Sequence, residues 1–187
     1  MNPFHAMMRM AGRLGLRVLT WPPVTALLPW IFPIRPVIRE GDPSRDLDAL
    51  ALFGTPGRPD HRPMFRAALE QEFQTATPET HRFLVARAAS GSHRLAGYIR
   101  LQVRMSAWWI TGLEVRPMYR RRGLAEALAR EAMGRLRNDG AGTICLSVRG
   151  DNVAAIRLYE KLGFRREEGL SDPTLRPGDI GMVWRRP

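Results

Sequence analysis

A chain of 187 residues with 44% apolar residues can close one full core, so it reads as one domain plus an extension. One cysteine, Cys145, excludes an internal disulfide, and four scattered histidines give no metal spacing, so no metal is expected. The net charge of +11 invites a polyanion, but Lys161 is the only lysine, and a GC-rich genome produces the same arginine skew.

Residues 1–39 hold no Asp or Glu but carry Arg9, Arg13, Arg17, Arg35 and Arg39. Met7, Met10, Leu14 and Val18 recur at helical spacing beside the arginine row, until Trp21-Pro22-Pro23 stops the helix. The apolar run Ala26 to Phe32 is bracketed by Pro29 and Pro33, too broken to span a bilayer and a poor secretory signal. Residues 1–32 are therefore set apart from a domain at 33–187. They read as a helix packed on that domain or a frayed arm, or else as an amphipathic contact with a membrane surface or a second copy.

Pro33 to Arg39 reads as an edge strand, since prolines sit at its start and middle. Asp42 or Ser44 caps a helix over Arg45 to Phe53 with Leu47, Leu50 and Ala51 buried. A Gly/Pro-rich loop, 54–63, leads to a second helix, Met64 to Gln74, with Phe65, Ala68, Leu69 and Phe73 on one side. Strands follow at Arg82–Arg87 and Leu95–Leu101, turned by Ser90 to His93, and then at Ala107–Val115. Arg120-Arg121-Arg122-Gly123-Leu124-Ala125 opens a helix running through Met133. Thr143 to Val148 is a strand, Asn152 to Phe164 a helix with its exit, and Gly181 to Trp184 a closing strand. Strands with inserted helices define an α+β fold with a mixed sheet.

A strand, a glycine-bearing turn and a helix start are how a backbone cradles phosphate. The first helical amides lack internal partners, and the helix dipole adds positive charge there. The turn at 120–125 and the stretch Asn152-x-x-Ala155-x-x-Leu158-Tyr159-x-x-x-Gly163-Phe164 resemble, in order and separation, two motifs of the GNAT superfamily of acyl-CoA-dependent N-acyltransferases. The resemblance is strongest over 108–164, looser over 33–107 and 165–184, and absent from the first thirty residues.

The resemblance implies a GNAT fold: a mixed, mostly antiparallel sheet of six or seven strands with helices on both faces. It implies acetyl-CoA as cosubstrate, held by the backbone of Leu113 and Val115, by Arg120, Arg121, Arg122, Gly123, Leu124 and Ala125 at its phosphates, and by Asn152 and Ala155 along its arm. Tyr159, seven residues after Asn152 and on the same helical side, would be the acid that protonates the departing thiolate. Asn152 is also an N-cap by type, and Tyr159 also fits a core tyrosine.

The general base is not legible. Ribosomal-protein-alanine members of the family carry a glutamate twelve residues before the tyrosine, where this chain has Ser147. The histone-type glutamate falls near Trp109. Strand alternation puts Glu114 opposite Leu113 and Val115, where it reads as a structural carboxylate paired with a neighbouring arginine. Asp60, His81 and His93 are weaker candidates, and no residue of the variable acceptor segment (Phe53, Arg58, Asp60, His61, Arg62) stands out.

The expected function is acetyl transfer from acetyl-CoA to a primary amine of a small molecule or of a protein N-terminus or lysine, by direct transfer, in the cytoplasm. An aminoacyl-tRNA-acetylating toxin-like enzyme and a catalytically silent CoA-binding module are the alternatives. Nucleic acid is not the favoured partner, and a homodimer is open.

Overall fold

Prolines open the first two elements. Pro36 starts edge strand β1 (Pro36–Glu40), and Pro43 sits where a missing amide costs nothing, at the start of α1 (Pro43–Gly54). Asp42 accepts from the Ser44 amide at 2.9 Å, and Asp46 reaches back to the Asp42 amide at 2.9 Å, a reciprocal cap. The computed structural model describes residues 36–54, 58–88, 95–170 and 176–187. The readings made for 1–32, for the turn at 90–93 and for His93 fall outside these residues.

A one-turn 3-10 segment (Pro59–His61) leads into α2 (Arg62–Thr75). Strands β2 (His81–Ala88), β3 (Leu95–Arg104) and β4 (Ala107–Val115) follow. A second 3-10 turn (Pro117–Tyr119) precedes α3 (Leu124–Asn138). The chain continues through β5 (Thr143–Arg149), α4 (Val153–Lys161), the two-residue β6 (Arg165–Arg166) and β7 (Asp179–Arg185).

These make one seven-stranded sheet in the order β1-β2-β3-β4-β5-β7-β6. Every pairing is antiparallel except β4–β5. The sheet is thus the expected mixed, mostly antiparallel one, and β1 is an edge strand as its prolines demand.

Alternation along β2 separates two packing faces. Phe83 and Val85 join Leu47, Leu50, Ala51 and Leu69 under α1 and α2. Leu84 and Ala86 face α3, whose buried stripe is Leu124, Leu128, Ala129, Ala132, Met133 and Leu136, and α4, which adds Ile156 and Tyr159. Each large side chain in such a stripe contributes about 1.5–3 kcal/mol on burial.

A buried charge ties β1, α1 and β2 together. Asp46 is fully buried and bonded by Arg39 of β1 at 2.8 and 2.9 Å and by Arg87 of β2 at 2.7 Å. Burial pushes the Asp46 carboxyl up, but bonds from Arg39, the Asp42 amide and Arg87 outweigh it, and the net shift is downward.

The structural feature that positions the site is the parting of β4 from β5. The two strands pair only at Trp108–Ile144, Trp109–Cys145 and Ile110–Leu146, although β4 runs on to Val115 and β5 to Arg149. At that point β4 carries a bulge: Arg100 faces Gly112 and Leu101 faces Ile110, so Thr111 is an extra residue. The bulge resets the alternation. Trp109 packs with Cys145 and Val183 on one face, and beyond the bulge Leu113 and Val115 turn onto the α3 face.

Candidate active site

Between the parted strands lies a cleft of about 670 Å³. Its wall brings together Leu113 and Glu114 from β4, Ser147 from β5, and Asn152, Ala155 and Tyr159 from the start and body of α4. Four of the residues expected from sequence therefore meet in one hollow: Leu113, Asn152, Ala155 and Tyr159. Val115 and the turn 120–125 follow directly on the cleft's β4 wall but are not part of its lining.

The backbone edge of β4 is set by register. The Arg116 amide donates to the Ala96 carbonyl at 2.9 Å, so 96 and 116 form a hydrogen-bonded pair. Antiparallel pairs alternate, which makes Gly97–Val115 and Ile99–Leu113 non-bonded pairs. The amides and carbonyls of Leu113 and Val115 thus point away from β3, on the side where β5 has left. Arg120 takes one of these groups: its Nε donates to the Val115 carbonyl at 3.0 Å. Close approach of β3 to this edge requires Gly97, where a Cβ would lie 2.8 Å from the Glu114 carbonyl oxygen and 3.2 Å from Val115 Cγ2.

The turn after β4 has the form of an anion nest. Arg121 and Gly123 both adopt left-handed backbone, φ 57° and 76°. Gly123 is the N-cap of α3 and offers no side-chain cap, so the first helical amides remain for an external acceptor. A Cβ on Gly123 would meet nothing within 4 Å, so glycine here answers the positive φ and leaves open surface above the turn. Partial burial pulls the Arg122 guanidinium down from its usual value. Glu126 in the first turn is drawn aside by Lys161 Nζ at 2.6 Å and by Arg130 at 3.0 Å, and these bonds, Lys161 first, hold its carboxyl below the ordinary range. This turn and the β4 edge fit a phosphorylated thioester carrier: the first amides of α3 for the phosphates, and the outward edge of β4 for an amide-bearing arm.

Asn152 caps α4, its Oδ1 accepting from the Ala155 amide at 3.2 Å. The far end of α4 aims Tyr159. Gly163 is left-handed at φ 92°, the Phe164 amide donates to the Tyr159 carbonyl and the Gly163 amide to the Glu160 carbonyl, each at 3.0 Å. That is a Schellman motif, and its accompanying apolar contact is Tyr159 against Phe164, ring centroids 5.5 Å apart at 65°. The Tyr159 side chain is buried to 6% exposure, and burial alone pushes its hydroxyl up to about 12. The phenol accordingly stays protonated at any neutral working pH.

The base candidates divide clearly. Ser147 lines the cleft with no basic group. Trp109 is buried, its indole donating to the Arg104 carbonyl at 3.1 Å. Asp60 pairs with His61 at 3.2 Å, and His81 lies 3.0 Å from the Thr80 hydroxyl; neither residue is part of the cleft wall. Glu114 corrects the reading made from sequence. Its partner is the Tyr98 hydroxyl at 3.1 Å, with no arginine on it among the described residues, and Glu114 is part of the cleft lining. Spacing carried no sign of this, because the partner lies sixteen residues upstream on β3.

Parted parallel strands, a left-handed turn before the next helix and a buried phenol at the cleft wall lie together in one α+β domain. The acetyltransferase (GNAT) family model matches residues 47–164, more than half of the sequence, and the chain belongs to that family. It is 38% identical over 71 residues to the [ribosomal protein bS18]-alanine N-acetyltransferase of Escherichia coli (strain K12), a match covering 38% of this chain and 48% of that one. It is 43% identical over 58 residues to the mycothiol acetyltransferase of Rhodococcus erythropolis (strain PR4), covering 31% and 19%. The chain thus spans about half or less of the length of these curated relatives. In fold it is similar to the PaiA N-acetyltransferase of Thermoplasma acidophilum solved with coenzyme A, with TM-score 0.63 and 20% identity over 82% of this chain and all of that one.

Among the described residues no helix is long and apolar enough to cross a membrane.

Proposed function

We propose that the chain is an N-acetyltransferase that moves an acetyl group from acetyl-CoA to a primary amine by direct transfer. The observation that carries this reading is the parting of β4 from β5 immediately before the left-handed turn at Arg121–Gly123, with Tyr159 in the wall of the gap.

Each residue then has a physical task. The amides of the turn from Arg121 to Ala125 bind the carrier's phosphates, with Arg120, Arg121 and Arg122 adding charge. Leu113 and Val115 pair their free edge with its arm, and Ala155 leaves room along α4. Val115's amide receives the negative charge that develops on the acetyl oxygen. Tyr159 gives its proton to the departing sulfur, a modest demand because a thiol of pKa about 8.5 already leaves readily. The likeness to an alanine N-acetyltransferase makes a peptide with a free N-terminal alanine the first acceptor to test.

The experiment is thiol release from acetyl-CoA with such a peptide, beside a lysine peptide and small amines. Transfer to at least one amine, with the acetyl group located by mass, is the expected result. Stabilisation by acetyl-CoA without release against any amine would leave a silent binding module in its place. Steeply salt-dependent tRNA binding together with acetylation of aminoacyl-tRNA would favour the toxin-like reading.

A further inference from the structure

Two acidic residues are part of the cleft lining, Glu114 and Asp179. Asp179 accepts from the Arg176 amide at 3.1 Å and stands with Arg149 and Arg176 at the far end. Glu114 differs. Tyr98 donates to its Oε1, no described residue bonds Oε2, and the side chain is exposed within the cleft. Tyr98 is itself fixed, its ring edge-on to Phe53 at 5.6 Å, and burial with Glu114 beside it pushes its hydroxyl well up, so it remains a donor.

Position matters as much as partners. Glu114 lies between Leu113 and Val115, whose free edge would hold the acyl group. Its side chain faces the α1–α2 side with Tyr98, while Tyr159 belongs to the α3–α4 side. A proton acceptor and a proton donor thus flank the gap from opposite faces. Arg100 of β3 bonds Thr111 at 3.0 Å and Glu72 of α2 at 3.3 Å, and Arg104, Arg149, Arg176 and Asp179 complete the cleft's charged lining.

We propose that Glu114, oriented by Tyr98, receives the acceptor's ammonium group and serves as the general base, an inference that rests on the acetyl-transfer reading above. Glu114 takes one proton from the ammonium. The freed nitrogen lone pair forms the bond to the acetyl carbon, the carbon–sulfur bond breaks, and its electron pair leaves on sulfur, which takes the Tyr159 proton. The second nitrogen proton returns through water to Tyr159, and Glu114 loses its proton to solvent. One ammonium and one thioester become one amide, one thiol and one proton.

The test compares the full chain with Glu114→Gln and Tyr98→Phe, using acetyl-CoA and two peptides: one with a free α-amine, of pKa about 7.7–8.0, and one with a lysine amine, of pKa about 10.4. Glu114→Gln keeps the Tyr98 bond and the shape. It should retain acetyl-CoA affinity and thermal stability, and lose on the order of a hundredfold in kcat/KM near pH 6.5. For the α-amine that loss should shrink towards unity near pH 9, where the amine is already free; for lysine it should persist. Tyr98→Phe should shift the pH profile in the same direction by a smaller factor. A Glu114→Gln enzyme as active as wild type across the pH range, or a loss for the α-amine peptide that does not vary with pH, overturns the assignment while leaving acetyl transfer standing. A wild type that acetylates no amine overturns both.

Discussion

Arg120 Nε closes on the Val115 carbonyl at 3.0 Å, so the first arginine of the turn holds the last residue of β4. One polar group of Val115 is thereby satisfied within the chain, and its amide stays directed into the gap. The arginine triplet is more than a charged mouth: its first member fixes the strand end from which the turn springs.

Arg120→Ala tests this. Arg120 is exposed, so stability should move by no more than about 0.5 kcal/mol. Acetyl-CoA affinity should fall roughly tenfold and kcat should fall as well, because the Val115 edge is no longer held. Isothermal titration and thiol-release kinetics separate the two effects. An unchanged kcat would limit Arg120 to charge.

Tyr159→Phe should preserve acetyl-CoA affinity and remove most turnover, about a hundredfold or more if the phenol is the acid. Burial pushes the wild-type hydroxyl up to about 12, so its ionisation adds no alkaline limb to the rate profile between pH 8 and 10. Equal turnover for the mutant would end the acid role.

Gly163→Ala isolates the device that aims the phenol. The residue sits at φ 92°, where a side chain costs about 1–2 kcal/mol, and its Cβ would lie 3.4 Å from Trp184 Cδ1. The melting temperature should drop by several degrees. The kcat should fall further than acetyl-CoA affinity, since the Schellman turn that sets Tyr159 against Phe164 is disturbed while the phosphate turn is not.

Asp46→Ala removes the anion shared by Arg39 and Arg87. Breaking a buried pair costs about 3–5 kcal/mol, and the lower end applies here because both arginines keep partial exposure. The folded carboxyl titrates below its unfolded value of about 3.9, so its contribution is present above that pH and is lost as pH falls towards the folded value. Thermal melts from pH 7 down to pH 3 should show wild type losing stability below about pH 4, with a shallower slope for the mutant. Parallel curves would assign the acid sensitivity to other carboxylates.

The sequence carried the local signals well. Proline places β1 at an edge, apolar spacing marks the faces of α1 and α2, and Gly123 and Gly163 sit where positive φ is needed. It missed features whose cause is not local. The β3–β4 hairpin turns on Met105 and Ser106 at φ 47° and 62°, a pair with neither glycine nor asparagine to announce it. The bulge at Thr111 follows from pairing with β3, and it alone places Leu113 and Val115 on the α3 face. Asp46 reads as an ordinary acidic residue of a first helical turn, because its two arginines come from different strands. Glu114 reads as an arginine-paired carboxylate for the same reason: its partner and its place in the cleft exist only once β3 lies beside β4 and β5 has turned away.

In this reading the main chain of Val115 and of the turn at 121–125 grips acetyl-CoA. Residue-resolved amide hydrogen exchange by NMR, with and without acetyl-CoA, tests it most directly. Bound acetyl-CoA should protect the amides of Val115 and of Arg121 through Ala125. Binding that leaves those amides exchanging at their free rates, with protection elsewhere, would contradict it.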